Sequence, residues 1–356
     1  MILKEIKYSP FSCKLKNPFQ TSSGIISERK GFFVSALDEL GNNSISECSP
    51  LPGFSSESYG EVEKFLSNEL KRLLVNEIES DPVKIKQTVA QFTKLPSVRF
   101  ALEQALFGLV MQRDKNFFQN NFYAGKKAIP VNAVIGFDKP ENILAKVEKK
   151  YIAGYRTFKI KVGRENFSDD YELVKLVGEK FSDKITIRLD ANGKWDIDSA
   201  VDNLAKLSQF EIEYIEEPCK NLSCLMKLAE HSKIPIAVDE SLKTYENVEE
   251  VLKTTSIKFL VVKPMILGGI INAVQLIKEA EALCKRIIIS SAFETPIGKS
   301  ALVFLASLVS HNHAHGLDTA SMFFNLPITD PYPVQNSHII FDPENFSPHF
   351  DAGHLS

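Results

Sequence analysis

No stretch of this chain approaches the ~18 consecutive apolar residues of a membrane-spanning helix. Its first residues, Met1–Tyr8, lack the apolar core of a signal peptide. The expectation is a cytoplasmic protein with no membrane partner. Basic runs are also missing: 42 lysines and arginines against 45 aspartates and glutamates leave a net charge of −3. That balance argues against nucleic acid as a partner. Cysteine is sparse: Cys13, Cys48, Cys219, Cys224 and Cys284, an odd number with no C-x-x-C pair. The pattern argues against a disulfide framework or a zinc site and fits a reducing compartment, with each cysteine a small packed side chain. Low-complexity tracts and internal sequence repeats are absent, and nothing identifies an oligomeric face.

A hydrophobic fraction of 44% over 356 residues supports a large core. The length suits an α/β protein: a (β/α)8 barrel of the TIM type with a smaller N-terminal α+β capping domain. Residues 1–125 carry the α+β pattern. Leu3–Lys16 and Gly31–Leu40 alternate apolar and polar residues, and a Gly41-Asn42-Asn43 turn leads to a third strand, Ser44–Cys48. Glu57–Leu74 has helical periodicity, Asp81-Pro82 opens a second helix, and Ser97 is placed to cap a third through Arg99–Gln112. Asn17–Lys30 and Ser49–Ser58 are rich in Gly, Ser and Pro; they read as surface connections or as lids over a barrel mouth. From Pro130 onward strand-like runs alternate with helical stretches. Eight strand candidates, from Val131–Ile135 to Ala314–Asp318, give a barrel over residues 126–323. The remaining residues, 324–356, are expected to return to the capping domain.

Five charged residues end successive β-branched runs: Lys161, Asp190, Glu216, Asp239 and Lys263, at intervals of 29, 26, 23 and 24 residues. In a (β/α)8 barrel such positions converge on one mouth. Each has an ordinary structural reading: a solvated strand face for Lys159-Ile160-Lys161, an Asx turn for Asp190, a helix cap for Asp239, an ion pair with Asp239 for Lys263. Three acids in one cleft repel unless a cation neutralises them, which points to a hard ion with oxygen ligands, Mg²⁺ or in its place Mn²⁺. Of the adjacent Glu216 and Glu217, Glu216 is assigned to the mouth and Glu217 to the rim. Lys159 and Lys161 share a face, so repulsion and burial should lower a lysine pKa enough for one to serve as a base.

These residues in this order resemble the enolase superfamily, in its muconate-lactonizing branch. The resemblance spans nearly the whole chain, and it implies a small-molecule carboxylate substrate. Two late segments, IIISSAFETPIGKSAL and AHGLDTASMF, are similar to those of o-succinylbenzoate synthases, as is the Ser49–Phe54 loop. The Asp-x-Asp of dipeptide epimerases is missing here, because Asp318 is followed by Thr319 and Ala320. The resemblance implies Mg²⁺-dependent dehydration of 2-succinyl-6-hydroxy-2,4-cyclohexadiene-1-carboxylate to 2-succinylbenzoate, a menaquinone-pathway step, through an enediolate. Asp190, Glu216 and Asp239 would be metal ligands, Lys161 the base and then the acid, and Lys263 the opposing cation. Lys159 would tune Lys161. Ser290, Ser291 and Asn192 are candidates for substrate contact, with Arg29 and Lys30 as conceivable partners of the succinyl carboxylate, although surface solvation is the ordinary reading for both. The same two lysines would equally serve an N-succinylamino acid racemase or a dipeptide epimerase. A non-catalytic barrel would predict a broken constellation, and none of the five positions is broken.

Overall fold

The structure is a computed structural model; it describes residues 1–346 apart from 22, 23, 76, 325 and 327. Strands β1 (Leu3–Thr21), β2 (Gly24–Asp38) and β3 (Asn43–Cys48) form an antiparallel sheet in that order. The segment Asn17–Lys30 is therefore not a loop. Apart from residues 22 and 23, which lie outside the described residues, it forms the far end of a long hairpin, pairing Phe19 with Ile26 and Gln20 with Ile25. Its proline misled the composition argument. The register skips between Lys14 and Phe19, and this irregularity accommodates Pro18, which has no N–H to donate.

Helices Tyr59–Glu69, Pro82–Phe92 and Pro96–Arg113 follow the sheet. Asp81 caps the second through the Lys84 N–H at 3.0 Å. Ser97 does not cap the third, because Pro96 already occupies its first turn; the Ser97 N–H instead donates to Glu57 at 2.8 Å. That third helix is buried on nearly every side, between the sheet and the barrel. Its polar residues tie the two together: Glu103 accepts from the Ile271 N–H at 2.9 Å, and Gln104 donates to the Ile297 carbonyl at 2.7 Å. A short helix, Phe117–Phe122, follows without having been anticipated.

After β4 (Lys127–Pro130) come seven parallel strands: β5 (Ala133–Ile135), β6 (Thr157–Lys161), β7 (Thr186–Asp190), β8 (Ile212–Glu216), β9 (Ile236–Val238), β10 (Phe259–Val262) and β11 (Arg286–Ile289). They neighbour one another in sequence order, with helices between, as right-handed βα repetition requires. The segment 314–316 closes the ring through parallel bridges from Gly316 to Ser290 and from His315 to Val131. The tail supplies β12 (His338–Phe341), whose partner is β4 rather than the N-terminal sheet. Phe346 packs edge-on against Phe118 at 4.6 Å. Residues 325, 327 and 347–356 of the tail lie outside the described residues. Among the described residues no helix is long and apolar enough to cross a membrane.

One cysteine expectation fails. Cys219 and Cys224 form a disulfide, with their Cα atoms 6.4 Å apart. Cys219 follows Pro218 at the end of β8 and Cys224 lies in the first turn of helix Leu222–His231, so the chain reverses between them. A search for C-x-x-C misses a pair that bridges a strand end to a helix start, and cysteine usage no longer argues for a reducing compartment. Cys13 and Cys48 are free and buried, whereas Cys284 is exposed.

Candidate active site

The strand ends surround a cleft of about 710 Å³. Parallel register brings its charges level, pairing Lys161 with Asp190 and Asp190 with Glu216. Lys159 Nζ donates to both Glu216 oxygens at 2.7 and 2.8 Å and lies 3.0 Å from Asp190. Lys161 Nζ donates to Asp190 at 2.7 Å and to Asn192 Oδ1. Across the cleft Lys263 pairs with Asp239. The ion pair that was the ordinary reading of Lys263 is thus present, and it lies inside the same cleft.

Burial disfavours charge on Lys159, Lys263, Asp190, Glu216 and Asp239. For Lys159 it is outweighed by Asp190, Glu216 and Asp239, so the ammonium is held well above its usual range. At Lys159 the surrounding acids thus dominate over the crowding expected to lower one lysine of the pair. Lys263 is also raised: burial lowers it, but Asp239, Glu240 and Glu216 together outweigh that. Glu216 is pushed well up, by burial first and then by the neighbouring Asp190. Asp190 and Asp239 lie below the usual carboxylate range, because the adjacent lysines overcome burial.

Glu216, Asp239 and Glu240 each offer an oxygen within 4.8 Å of the others. This all-oxygen donor set fits a hard divalent cation rather than zinc. Glu240 was missed because alternation assigns adjacent residues to opposite faces; here a 3₁₀ turn, Glu240–Leu242, begins directly after Asp239 and breaks the alternation. Asn192 Nδ2 donates to Glu240 at 3.0 Å. Glu217 is not a rim residue. Its backbone is left-handed (φ 42°) and its side chain is buried, accepting from the N–H groups of Asp239 at 2.8 Å and Ser241 at 2.9 Å and from the Ser241 hydroxyl at 2.9 Å. It holds the turn that carries Asp239.

The roof comes from the N-terminal segments: Phe19 and Thr21 at the hairpin end, Leu51 and Phe54 from the second Gly/Ser/Pro-rich segment. Phe19 packs edge-on against Phe293 at 5.3 Å, and the Phe54 ring lies 5.6 Å from Lys263 Nζ. Apolar residues inside otherwise polar segments were the signal for these contacts. Arg29 does not reach the cleft; it is buried and donates to the Ser49, Pro50 and Lys30 carbonyls. Lys30 is exposed and pairs with Glu28. Ser290 and Ser291 both line the cleft. Ser291 is already engaged, donating to Glu294 at 2.6 Å and accepting from Thr319 at 2.7 Å. Ser290 faces the cleft beside Gly316, where a Cβ would come within 2.8 Å of its hydroxyl. Asp318 is taken up by Lys150 at 2.9 Å and Tyr155 at 2.7 Å, while Gly316 and Thr319 of that segment line the cleft.

Residues 142–344 match the family described as Enolase C-terminal domain-like, and the chain belongs to it. Its barrel with an N-terminal cap is the fold of enolase-superfamily enzymes. The o-succinylbenzoate synthase of Desulfotalea psychrophila is 28% identical over 90% of this chain and 95% of its own length. The D-Ala-D/L-Ala epimerase of Cytophaga hutchinsonii is 26% identical over 97% and 94%. Among solved structures, the muconate lactonizing enzyme of Pseudomonas fluorescens, complexed with muconolactone, superposes with a TM-score of 0.89 at 17% identity, covering 99% of this chain and 98% of that one. The dipeptide epimerase of Cytophaga hutchinsonii, complexed with Mg and a dipeptide, gives 0.85 at 24%, covering 96% and 94%.

Proposed function

We propose that this protein is a Mg²⁺-dependent carbon–oxygen lyase that dehydrates 2-succinyl-6-hydroxy-2,4-cyclohexadiene-1-carboxylate to 2-succinylbenzoate, a step of menaquinone biosynthesis. The observation that carries this choice is the eighth barrel segment. Its one acid, Asp318, is turned onto Lys150 and Tyr155, and Thr319 faces the cleft. A dipeptide ammonium would find no carboxylate there, whereas a ring carboxylate with a succinyl arm carries no cation and needs none.

Asp190, Glu216 and Asp239, with Glu240 alongside, are the residues that would hold the cation. When bound, the ion would neutralise the acids and draw negative charge onto the substrate carboxylate. Lys161 takes the proton from the carbon bearing that carboxylate, and Lys263 on the opposite side offsets the developing charge. The C–O bond to the neighbouring hydroxyl then breaks. Lys161 returns its proton to the departing oxygen, which leaves as water, and the ring becomes aromatic. One residue thus serves as base and acid on one face. Lys159, ammonium among three acids, holds Glu216 and Asp190 in place. Phe19, Leu51 and Phe54 cover the cleft and exclude water.

A second reading is favoured by one observation: Lys161 and Lys263 stand on opposite sides of the acids, which suits proton removal on one face and return on the other. That is the geometry of an N-succinylamino acid racemase or dipeptide epimerase. The test is product formation from the cyclohexadiene carboxylate, set beside deuterium wash-in on N-succinylamino acids and dipeptides. Dehydration without wash-in supports the lyase; wash-in without dehydration transfers the activity to the racemase class.

A further inference from the structure

Below the reacting lysines the barrel holds polar groups that the mechanism above does not use. Arg188 on β7 lies two residues before Asp190 and is fully buried. Its Nε donates to Glu213, and its Nη1 donates to the Ala314 carbonyl at 2.6 Å and to Asn132 Oδ1 at 3.1 Å. Glu213 is also bonded to His313 Nδ1 at 2.7 Å, and the Tyr214 ring lies 4.9 Å from the guanidinium. The guanidinium is therefore fixed on several sides. Asn132, just before β5, is 2% exposed and lines the cleft.

A guanidinium can only donate hydrogen bonds, so the amide atom that faces Arg188 must be oxygen. This fixes the orientation of Asn132 by chemistry, without appeal to an assigned flip. Its Nδ2 is then directed away from Arg188, buried, and without a partner among the described residues; Arg188 Nη2 is in the same state. A buried donor without an acceptor is costly, and because Asn132 lines the cleft, its Nδ2 calls for an acceptor supplied from outside the chain. Val134, Val261 and Ile288 also line the cleft, and a few placed polar groups beside apolar side chains are how a pocket fixes a ligand's orientation.

We propose that Asn132 binds substrate. Its Nδ2 donates to a carbonyl or carboxylate oxygen of the substrate's side arm, the part not held by the acids, and Arg188 is a positioning residue that acts through it. This assignment rests on the functional reading above, in which the arm is the succinyl group.

Asn132→Asp is the informative variant. It keeps the size of the side chain and strengthens the contact with Arg188, but replaces the donor with an acceptor. A purely structural role predicts a harmless or stabilising change. Substrate binding predicts a loss in kcat/KM of roughly 100-fold, carried mainly by KM, with thermal midpoint and Mg²⁺ affinity unchanged. Asn132→Leu, which removes the donor without adding an acceptor, should lose roughly 10- to 100-fold. Calorimetric binding of 2-succinylbenzoate against plain benzoate gives a readout without turnover: the wild type prefers the former, and Asn132→Asp loses that preference. Wild-type dehydration with both variants within about twofold of it overturns the assignment of Asn132 alone, as does a loss confined to kcat. A wild type that does not dehydrate the diene overturns the functional reading and this assignment with it.

Discussion

Replacing Glu217 with alanine should damage the metal site without touching any group that would bind metal or substrate. Glu217 is buried and accepts three hydrogen bonds, from the Asp239 and Ser241 N–H groups and the Ser241 hydroxyl. Alanine leaves those donors buried without an acceptor. At about 1–3 kcal/mol each, with partial relaxation, the loss is roughly 3–6 kcal/mol. For a chain of this size that lowers the melting midpoint by roughly 5–10 °C. The freed turn carries Asp239, so Mg²⁺ affinity should fall by about 10- to 100-fold. Glutamine is the control. Its Oε1 can accept from both N–H groups, and the Ser241 hydroxyl can reverse to accept from Nε2. Calorimetric melting and Mg²⁺ titration of both variants read the outcome. An alanine variant within ~1 kcal/mol of wild type with unchanged Mg²⁺ affinity, or a glutamine variant as damaged as alanine, refutes the reasoning.

Lys161→Ala should abolish exchange of the substrate α-proton with solvent deuterium while leaving the melting midpoint near wild type; full retention of exchange contradicts its role as base. Asp190→Asn, Glu216→Gln and Asp239→Asn should each weaken Mg²⁺ binding in a titration, and unchanged affinity in all three removes the metal assignment. Glu103 gives a pH signature far from the cleft. Burial, against the pull of the Ile271 and Ile270 N–H groups, pushes its carboxyl up to about 7. The folded state therefore binds the proton more tightly than the unfolded chain, so wild-type stability relative to Glu103→Gln is greatest below pH ~4.5 and declines as pH rises to ~7, by at most about 3 kcal/mol. Denaturant midpoints of the two proteins across that range check it, and a flat difference counts against a buried, proton-binding Glu103.

The barrel was legible because β-branched runs ending in charge recur at one βα interval, and a parallel barrel turns that interval into convergence. Lys159, Lys161, Asp190, Glu216, Asp239 and Lys263 all meet at one cleft for this reason. What escaped were positions where the backbone leaves its regular period. Glu240 sits in a 3₁₀ turn and Glu217 is left-handed, so alternation could not say where their side chains lie. The hairpin through Pro18 and Gly24 was hidden because an irregularity lets a strand carry residues that composition assigns to loops. Arg29 looked like a surface cation, but it is buried against the Ser49 and Pro50 carbonyls some twenty residues along the chain, and no local pattern signals that.

The most direct test of the central claim, that these strand-end residues perform cation-dependent α-proton chemistry on a cyclohexadiene carboxylate, is the loss of diene absorbance followed side by side for three samples. They are wild type with Mg²⁺, wild type stripped with EDTA, and Lys161→Ala with Mg²⁺. Rapid decay in the first, restoration of the second when Mg²⁺ is returned, and a rate lower by about 10²- to 10⁴-fold in the third are the predicted results. Decay that persists in EDTA, or that Lys161→Ala leaves intact, contradicts it.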